Sequence, residues 1–157
     1  MMTIAANTFE PRKSGSSRCL SVALAFVLCA CSVTLISNYD EQIDRAATAL
    51  QKQMDAHLTK LEAVSGPVAA FESNKQFYQD YLVDIRAVEL RASAHPENQQ
   101  SLGQYRLMLD NLEDLRSTHE TEVTLSVAYI GTVRELFNQG WRAIITLEVD
   151  KKRGEEV

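Results

Sequence analysis

The chain has 157 residues, of which 45% are hydrophobic and 24% charged, and its formal net charge is −5. These values are typical of one globular domain with one core, and they argue against a disordered chain. With only 3 Pro and 6 Gly, and long segments rich in Ala, Leu, Gln, Glu, Lys and Arg, the sequence favours an all-α fold.

The first 18 residues carry Arg12, Lys13 and Arg18, with Glu10 as their only acid, and the apolar run Cys19 to Leu28 follows them. This layout is typical of a secretory signal, because basic residues stay on the cytoplasmic side while the apolar part enters the translocon. We therefore expect the remainder of the chain to be exported.

The apolar run ends in the tetrapeptide Leu28-Cys29-Ala30-Cys31. It resembles the lipobox of bacterial lipoproteins, with Leu at minus three, Ala at minus one and Cys at plus one. The minus-two position is Cys29, where that family has Ala, Ser or Thr. The resemblance implies that residues 1–30 are a cleaved signal peptide and that Cys31 is acylated. Cys29 fits that role less well, since it would leave Leu28 at minus one.

The resemblance also implies a location. Acyl chains on Cys31 would hold the protein at a bilayer, because each buried methylene contributes about 0.8 kcal/mol. Ser32, rather than Asp, follows the cysteine, as in lipoproteins sorted to the outer membrane and facing the periplasm. The alternative is an uncleaved inner-membrane signal anchor, since Cys19 to Ile36 is an uncharged run of 18 residues, near the lower limit for a spanning helix.

The mature chain is predicted to comprise a lipidated tether, 31–37, and a helical domain, 38–157. The first helix is expected over 38–64 with an N-cap pair of Asn38 and Glu41. The second is expected over 68–94. Apolar residues recur every three or four positions along these helices, which predicts one buried stripe on each: Ile43, Ala47, Leu50, Met54, Leu58, Leu61 and Val64, then Phe71, Phe77, Tyr78, Tyr81, Leu82, Ile85, Val88 and Ala92.

Two further helices follow. Ser101 and Gln104 form a capping box that predicts the start of the third helix, which ends near His119. The fourth runs from Val127 to Lys152 with Gly154 as its C-cap. Four such helices joined by short loops predict an up-and-down antiparallel four-helix bundle. Gly131 and Gly140 lie inside the last helix, at a cost of about 1 kcal/mol each, and suggest a close helix approach or a bend.

The residues do not indicate an enzyme. From Cys31 onward the chain has 13 Lys and Arg and 20 Asp and Glu, which gives a net charge of −7. This acidity argues against nucleic acid as a partner. There is no G-x-S-x-G, phosphate loop, Cys-x-x-Cys or Glu-x-x-His. We expect no metal and no cofactor beyond the covalent lipid on Cys31. His57, His119, Met54 and Met108 are interpreted as core residues.

The segment Val133 to Ile145 carries the candidate partner-binding residues Arg134, Phe137, Trp141 and Arg142. Trp and Arg are common anchors of protein interfaces. The favoured interpretation is instead that both aromatic side chains are core anchors and that the arginines form salt bridges, because large aromatics at helical spacing are usually buried.

The lipobox followed by about 120 helical residues ending "LEVDKKRGEE" is similar to small uncharacterised proteobacterial lipoproteins, a resemblance that implies no activity. The sequence therefore suggests a membrane-anchored, non-enzymatic bundle that contacts an envelope protein as a scaffold or accessory subunit. A small-molecule sensor or carrier with a pocket between the helices is the alternative. The oligomeric state is left open.

Overall fold

A computed structural model describes residues 37–155 as four α-helices with no strand in that range. The predicted signal, Cys31 and most of the tether lie outside the described residues. The helices are α1 (Glu41–Ala63), α2 (Phe71–Ser93), α3 (Gln99–Glu122) and α4 (Val127–Glu155). A short 3₁₀ helix, Gly66–Val68, joins α1 to α2. This confirms the predicted all-α, four-helix bundle.

Each helix packs against its neighbours in the chain, and α4 closes the ring by packing against α1. α1 and α4 are antiparallel, since the Tyr39 N–H donates to Glu155 Oε1 at 2.6 Å, while Gln51 Nε2 donates to Asn138 Oδ1 at 3.1 Å. The bundle thus has two ends. We call the end where α1 begins the entry end, and the end where α1 finishes the far end.

One apolar core fills the space between the helices, and most residues of the stripes predicted on the first two helices belong to it. Phe71, Phe77 and Leu82 are only partly buried against the core, and Val64 lies outside it. A polar chain crosses its centre. Trp141 Nε1 donates to the Tyr81 hydroxyl at 3.0 Å, which in turn donates to the Leu50 carbonyl oxygen at 3.0 Å. Both aromatic side chains therefore contribute their full area to the core without leaving a polar atom unpaired. Across residues 37–155, no helix combines the length and apolarity needed to cross a membrane.

The predicted start of α1 is wrong by two residues. The N-cap is Asp40, whose Oδ1 accepts the N–H groups of Gln42 at 2.8 Å and Ile43 at 3.3 Å. Asn38 is exposed and lies before the cap. Asp40 rather than Asn38 caps the helix because its second oxygen also accepts hydrogen bonds from Arg91 and His95, on another part of the chain.

Two other predicted helix termini are also wrong. α3 begins at Gln99, and Ser101 turns its hydroxyl inward, where it contacts Glu148 and Lys151, instead of capping the helix. α4 continues through Gly154 to Glu155, so that glycine is helical and does not form a C-cap.

The two glycines of α4 differ in their surroundings. A Cβ built on Gly140 would lie 2.3 Å from Met108 Sδ on α3, whereas one on Gly131 would meet nothing within 4 Å. The side chain of Met108, rather than the backbone of α3, therefore lies against Gly140, and the predicted close helix approach stays a prediction. Met108 is fully buried at this point and occupies the space that a side chain on residue 140 would need.

Candidate partner-binding surfaces

The two aromatic candidates belong to the core. Trp141 is 0% exposed and Phe137 is 2% exposed. Their rings pack edge-to-face against Tyr105 and Tyr81 respectively, each with centroids 6.4 Å apart. Neither side chain is presented on the surface, so the favoured core interpretation agrees with their positions.

Arg134 joins α4 to α1. Its Nη2 lies 2.8 Å from Glu62 Oε2, and its Nε lies 3.1 Å from Asp55 Oδ1 without the geometry of a hydrogen bond. The hydrogen bonds that Arg134 donates to Glu62 raise the pKa of Arg134 above its ordinary value. This guanidinium is engaged within the bundle and is half-buried.

Arg142 is exposed, and no carboxylate of residues 37–155 lies within 4.0 Å of its guanidinium. Six of the eight arginines in that range do have such a partner. Arg142 lies between two surface grooves. The α3–α4 groove has a volume of about 550 Å³ and is lined by Gln100, Gln104, Gln139, Arg142, Ala143, Thr146 and Leu147. The α1–α4 groove has a volume of about 390 Å³ and is lined by Gln51, Asn138, Arg142, Ile145 and Thr146.

The core histidines are held as neutral rings. His119 accepts a hydrogen bond from the Tyr78 hydroxyl at Nδ1, 2.7 Å, and donates from Nε2 to the Ala69 carbonyl oxygen, 2.8 Å, and burial lowers its pKa. His57 stacks on Phe77 with centroids 3.5 Å apart, and burial lowers its pKa to about 3. Within the described part of the chain, no three His, Cys, Asp or Glu side chains are grouped to hold a metal ion.

The entry end contains a buried ionic cluster that sequence reasoning missed. Lys151 Nζ donates to Glu148, Asn98 and Ser101, all of which are buried. The spacing of Glu148 and Lys151 permits a helical ion pair, but surface pairs use the same spacing. Only the approach of α3 to α4 reveals the burial.

A second overlooked feature lies at the far end, where α3 turns into α4. Val123 has φ 63° and ψ −43°, and the Thr124 N–H donates to the Glu122 carbonyl oxygen at 2.7 Å. This is a γ-turn with positive φ, a strained conformation that is rare for a β-branched residue. It is held in place because the Val123 carbonyl accepts the Phe71 N–H at 3.0 Å, which caps the start of α2.

The far end also exposes apolar side chains. Val68, Val123 and Val127 are 52%, 59% and 66% exposed, and we call these three residues the far-end apolar surface. A groove of about 280 Å³ lies at the same end and is lined in part by Leu125 and Tyr129. Strained backbone and exposed apolar side chains therefore occur at the same end of the bundle, a combination often found at binding sites.

No protein-family model, curated protein or solved structure matches this chain.

Proposed function

We propose that this protein is a lipid-anchored, non-enzymatic envelope protein that presents its far-end apolar surface to a protein partner, as a scaffold or accessory subunit. The observation that carries the proposal is the strained, exposed Val123 beside Val68 and Val127, at the end of the bundle opposite to where the chain enters it. The anchor itself is proposed from the lipobox, with Cys31 as the acylated residue in the outer membrane.

The length of the bundle and the place where the chain enters it support a role as a spacer between the membrane and a protein partner. Ser37, six residues after Cys31, is buried at the entry end, so the chain joins the bundle there. α1 has 23 residues and therefore spans about 35 Å from that end to the far end. A lipid on Cys31 would keep the entry end close to the membrane and leave the far end free to contact another protein.

The internal chemistry supports a structural role for the rest of the bundle. The buried His119, Tyr81 and Trp141 have hydrogen-bond partners within the protein. The grooves beside Arg142 lie on the surface, outside the core cluster. A sensor or carrier with a ligand between the helices remains a prediction, and the exposed far end favours protein contact.

The anchor is tested by the intact mass of protein extracted from membranes. We expect loss of residues 1–30 and added acyl mass, and we expect Cys31→Ala to abolish both. A full-length chain whose mass and membrane association survive Cys31→Ala would instead support the uncleaved signal anchor.

The contact surface is tested by photo-crosslinking in intact cells, with the reactive residue placed at position 127 or at position 83. Val127 and Val83 are matched, since both are helical valines with 66% and 64% exposure, and only Val127 lies at the far end. We expect a discrete adduct from position 127 that a second change, Val123→Asp, removes. Equal adducts from both positions, or none from 127, would contradict the proposal.

A further inference from the structure

The surface around Arg142 differs in charge from the rest of the domain. The two grooves beside it are lined by amide, hydroxyl, apolar and guanidinium groups and contain no acidic residue. The net charge from Cys31 onward is −7, so grooves without an acidic lining residue contrast with the overall acidity of that part of the chain. The nearest acids along α4 are already engaged, since Glu135 accepts from Gln139 and Glu148 is buried with Lys151.

An unpaired guanidinium in such a strip has a defined chemical preference. Arginine presents a planar set of donors that binds a carboxylate through two parallel hydrogen bonds. The single positive charge suits one carboxylate and not a polyanion, which needs a cluster of basic residues. The other exposed arginine without a carboxylate within 4.0 Å among residues 37–155 is Arg86, and it lines neither of these grooves.

The α3–α4 groove adds groups suited to a peptide main chain. The amides of Gln100 and Gln104 offer donors and an acceptor, which match the N–H and C=O groups of an extended peptide. Gln139, whose Nε2 already donates to Glu135, retains a second N–H and its amide oxygen. Ala143 and Leu147 supply an apolar contact for a small side chain. The volume of about 550 Å³ falls within the range of about 300–1,000 Å³ found for ligand sites.

We propose that the α3–α4 groove binds an extended peptide segment that carries a carboxylate. The carboxylate pairs with Arg142, and the peptide main chain bonds to the glutamine amides. This site is separate from the far-end apolar surface, so either proposal can fail while the other stands.

The test is fluorescence anisotropy on the detergent-extracted, membrane-anchored protein. The probes are a labelled, end-blocked Ala-Glu-Ala-Ala peptide and its matched Ala-Gln-Ala-Ala peptide. We expect the acidic peptide to bind at least tenfold more tightly than the neutral one. Arg142→Gln should reduce binding of the acidic peptide at least tenfold, while Arg86→Gln, a control at another exposed arginine, should leave it unchanged.

Several results would overturn the proposal. These are equal binding of the two peptides, equal loss from both arginine variants, or no binding at millimolar peptide. Displacement of the acidic peptide by an equal concentration of inorganic phosphate would indicate a general anion site and would also reject the peptide assignment. Thermal unfolding followed by circular dichroism checks that Arg142→Gln stays folded, which is expected because the side chain is exposed.

Discussion

Lys151 Nζ lies 2.5 Å from Glu148 Oε1 inside the bundle, and the two side chains are only 2% and 0% exposed. The ammonium has three acceptors for its three protons, since Asn98 Oδ1 lies at 2.8 Å and Ser101 Oγ at 3.1 Å. Glu148 Oε2 has no partner among residues 37–155. All three protons of the Lys151 ammonium therefore have hydrogen-bond acceptors. The buried carboxylate of Glu148 in turn depends on Lys151 to balance its negative charge.

Removing the lysine should be strongly destabilising. We expect Lys151→Met to lower the free energy of unfolding by about 3–5 kcal/mol, because it leaves an uncompensated buried carboxylate. The double variant Glu148→Leu with Lys151→Met should recover most of that loss. Urea denaturation measures both. Arg153→Met, which breaks an exposed pair with Asp150, is the control and should cost less than about 1 kcal/mol. Equal losses from Lys151→Met and Arg153→Met would contradict the argument.

The two glycines of α4 should respond in opposite directions to alanine. Gly131→Ala should stabilise the protein by up to about 1 kcal/mol, because alanine is the better helix former and its Cβ meets nothing within 4 Å. Gly140→Ala should destabilise it by about 1–3 kcal/mol, because the buried Met108 must move. Thermal unfolding of both variants is the measurement. A stabilised Gly140→Ala variant would show that the Met108 side chain repacks at little cost.

Acidification should destabilise the bundle through His57. Burial lowers its pKa from 6.5 to about 3, so between these values the unfolded chain binds a proton that the folded protein does not. Stability is therefore full above pH 6.5 and falls as the pH approaches 3, by about 1.4 kcal/mol per pH unit. His57→Phe keeps a ring against Phe77 and should flatten the profile in denaturation between pH 7 and pH 4. An unchanged slope would assign the effect to other groups.

Asp40 should make stability depend on pH in a lower range than His57 does. Burial alone raises its pKa, but the hydrogen bonds from Arg91, from the N–H groups of Gln42 and Ile43, and from His95 outweigh that effect and lower it from 3.8 to about 2. Its contribution is present above about pH 4 and is lost as the pH falls to about 2, a difference of about 2 kcal/mol. Asp40→Asn keeps a capping oxygen and should remove this pH dependence. Urea denaturation of the wild type and of Asp40→Asn from pH 5 to pH 2 measures this contribution. Identical profiles of stability against pH for the two proteins would contradict the prediction.

The γ-turn at Val123 should store strain that glycine releases. We expect Val123→Gly to stabilise the protein by about 1 kcal/mol, because glycine adopts positive φ without steric cost. The matched change Val83→Gly, in the middle of α2, should destabilise it by a similar amount. If the far-end apolar surface binds a partner, Val123→Gly should also weaken the crosslink from position 127. Destabilisation by Val123→Gly would mean that the turn is not strained.

The sequence by itself determined the number of helices, their approximate limits and most of the residues that face the core, although Val127, which falls on the predicted stripe of α4, is 66% exposed. These properties depend on local periodicity, since a residue three or four positions away lies on the same helical face. The same rule places Phe137 and Trp141 in the interior. The lipobox likewise predicts the anchor at Cys31 from adjacent residues alone.

Only the tertiary structure decided where the polar groups act. Asn38 and Asp40 are both suitable caps, and Asp40 is chosen because Arg91 and His95 come from another helix end to meet it. Ser101 begins a plausible capping box but turns toward Lys151, which lies 50 residues away. Arg134 and Arg142 look alike in sequence, yet only Arg134 has carboxylates of α1 within reach. Helical periodicity is local, whereas the partner of a charge is set by which helices pack side by side.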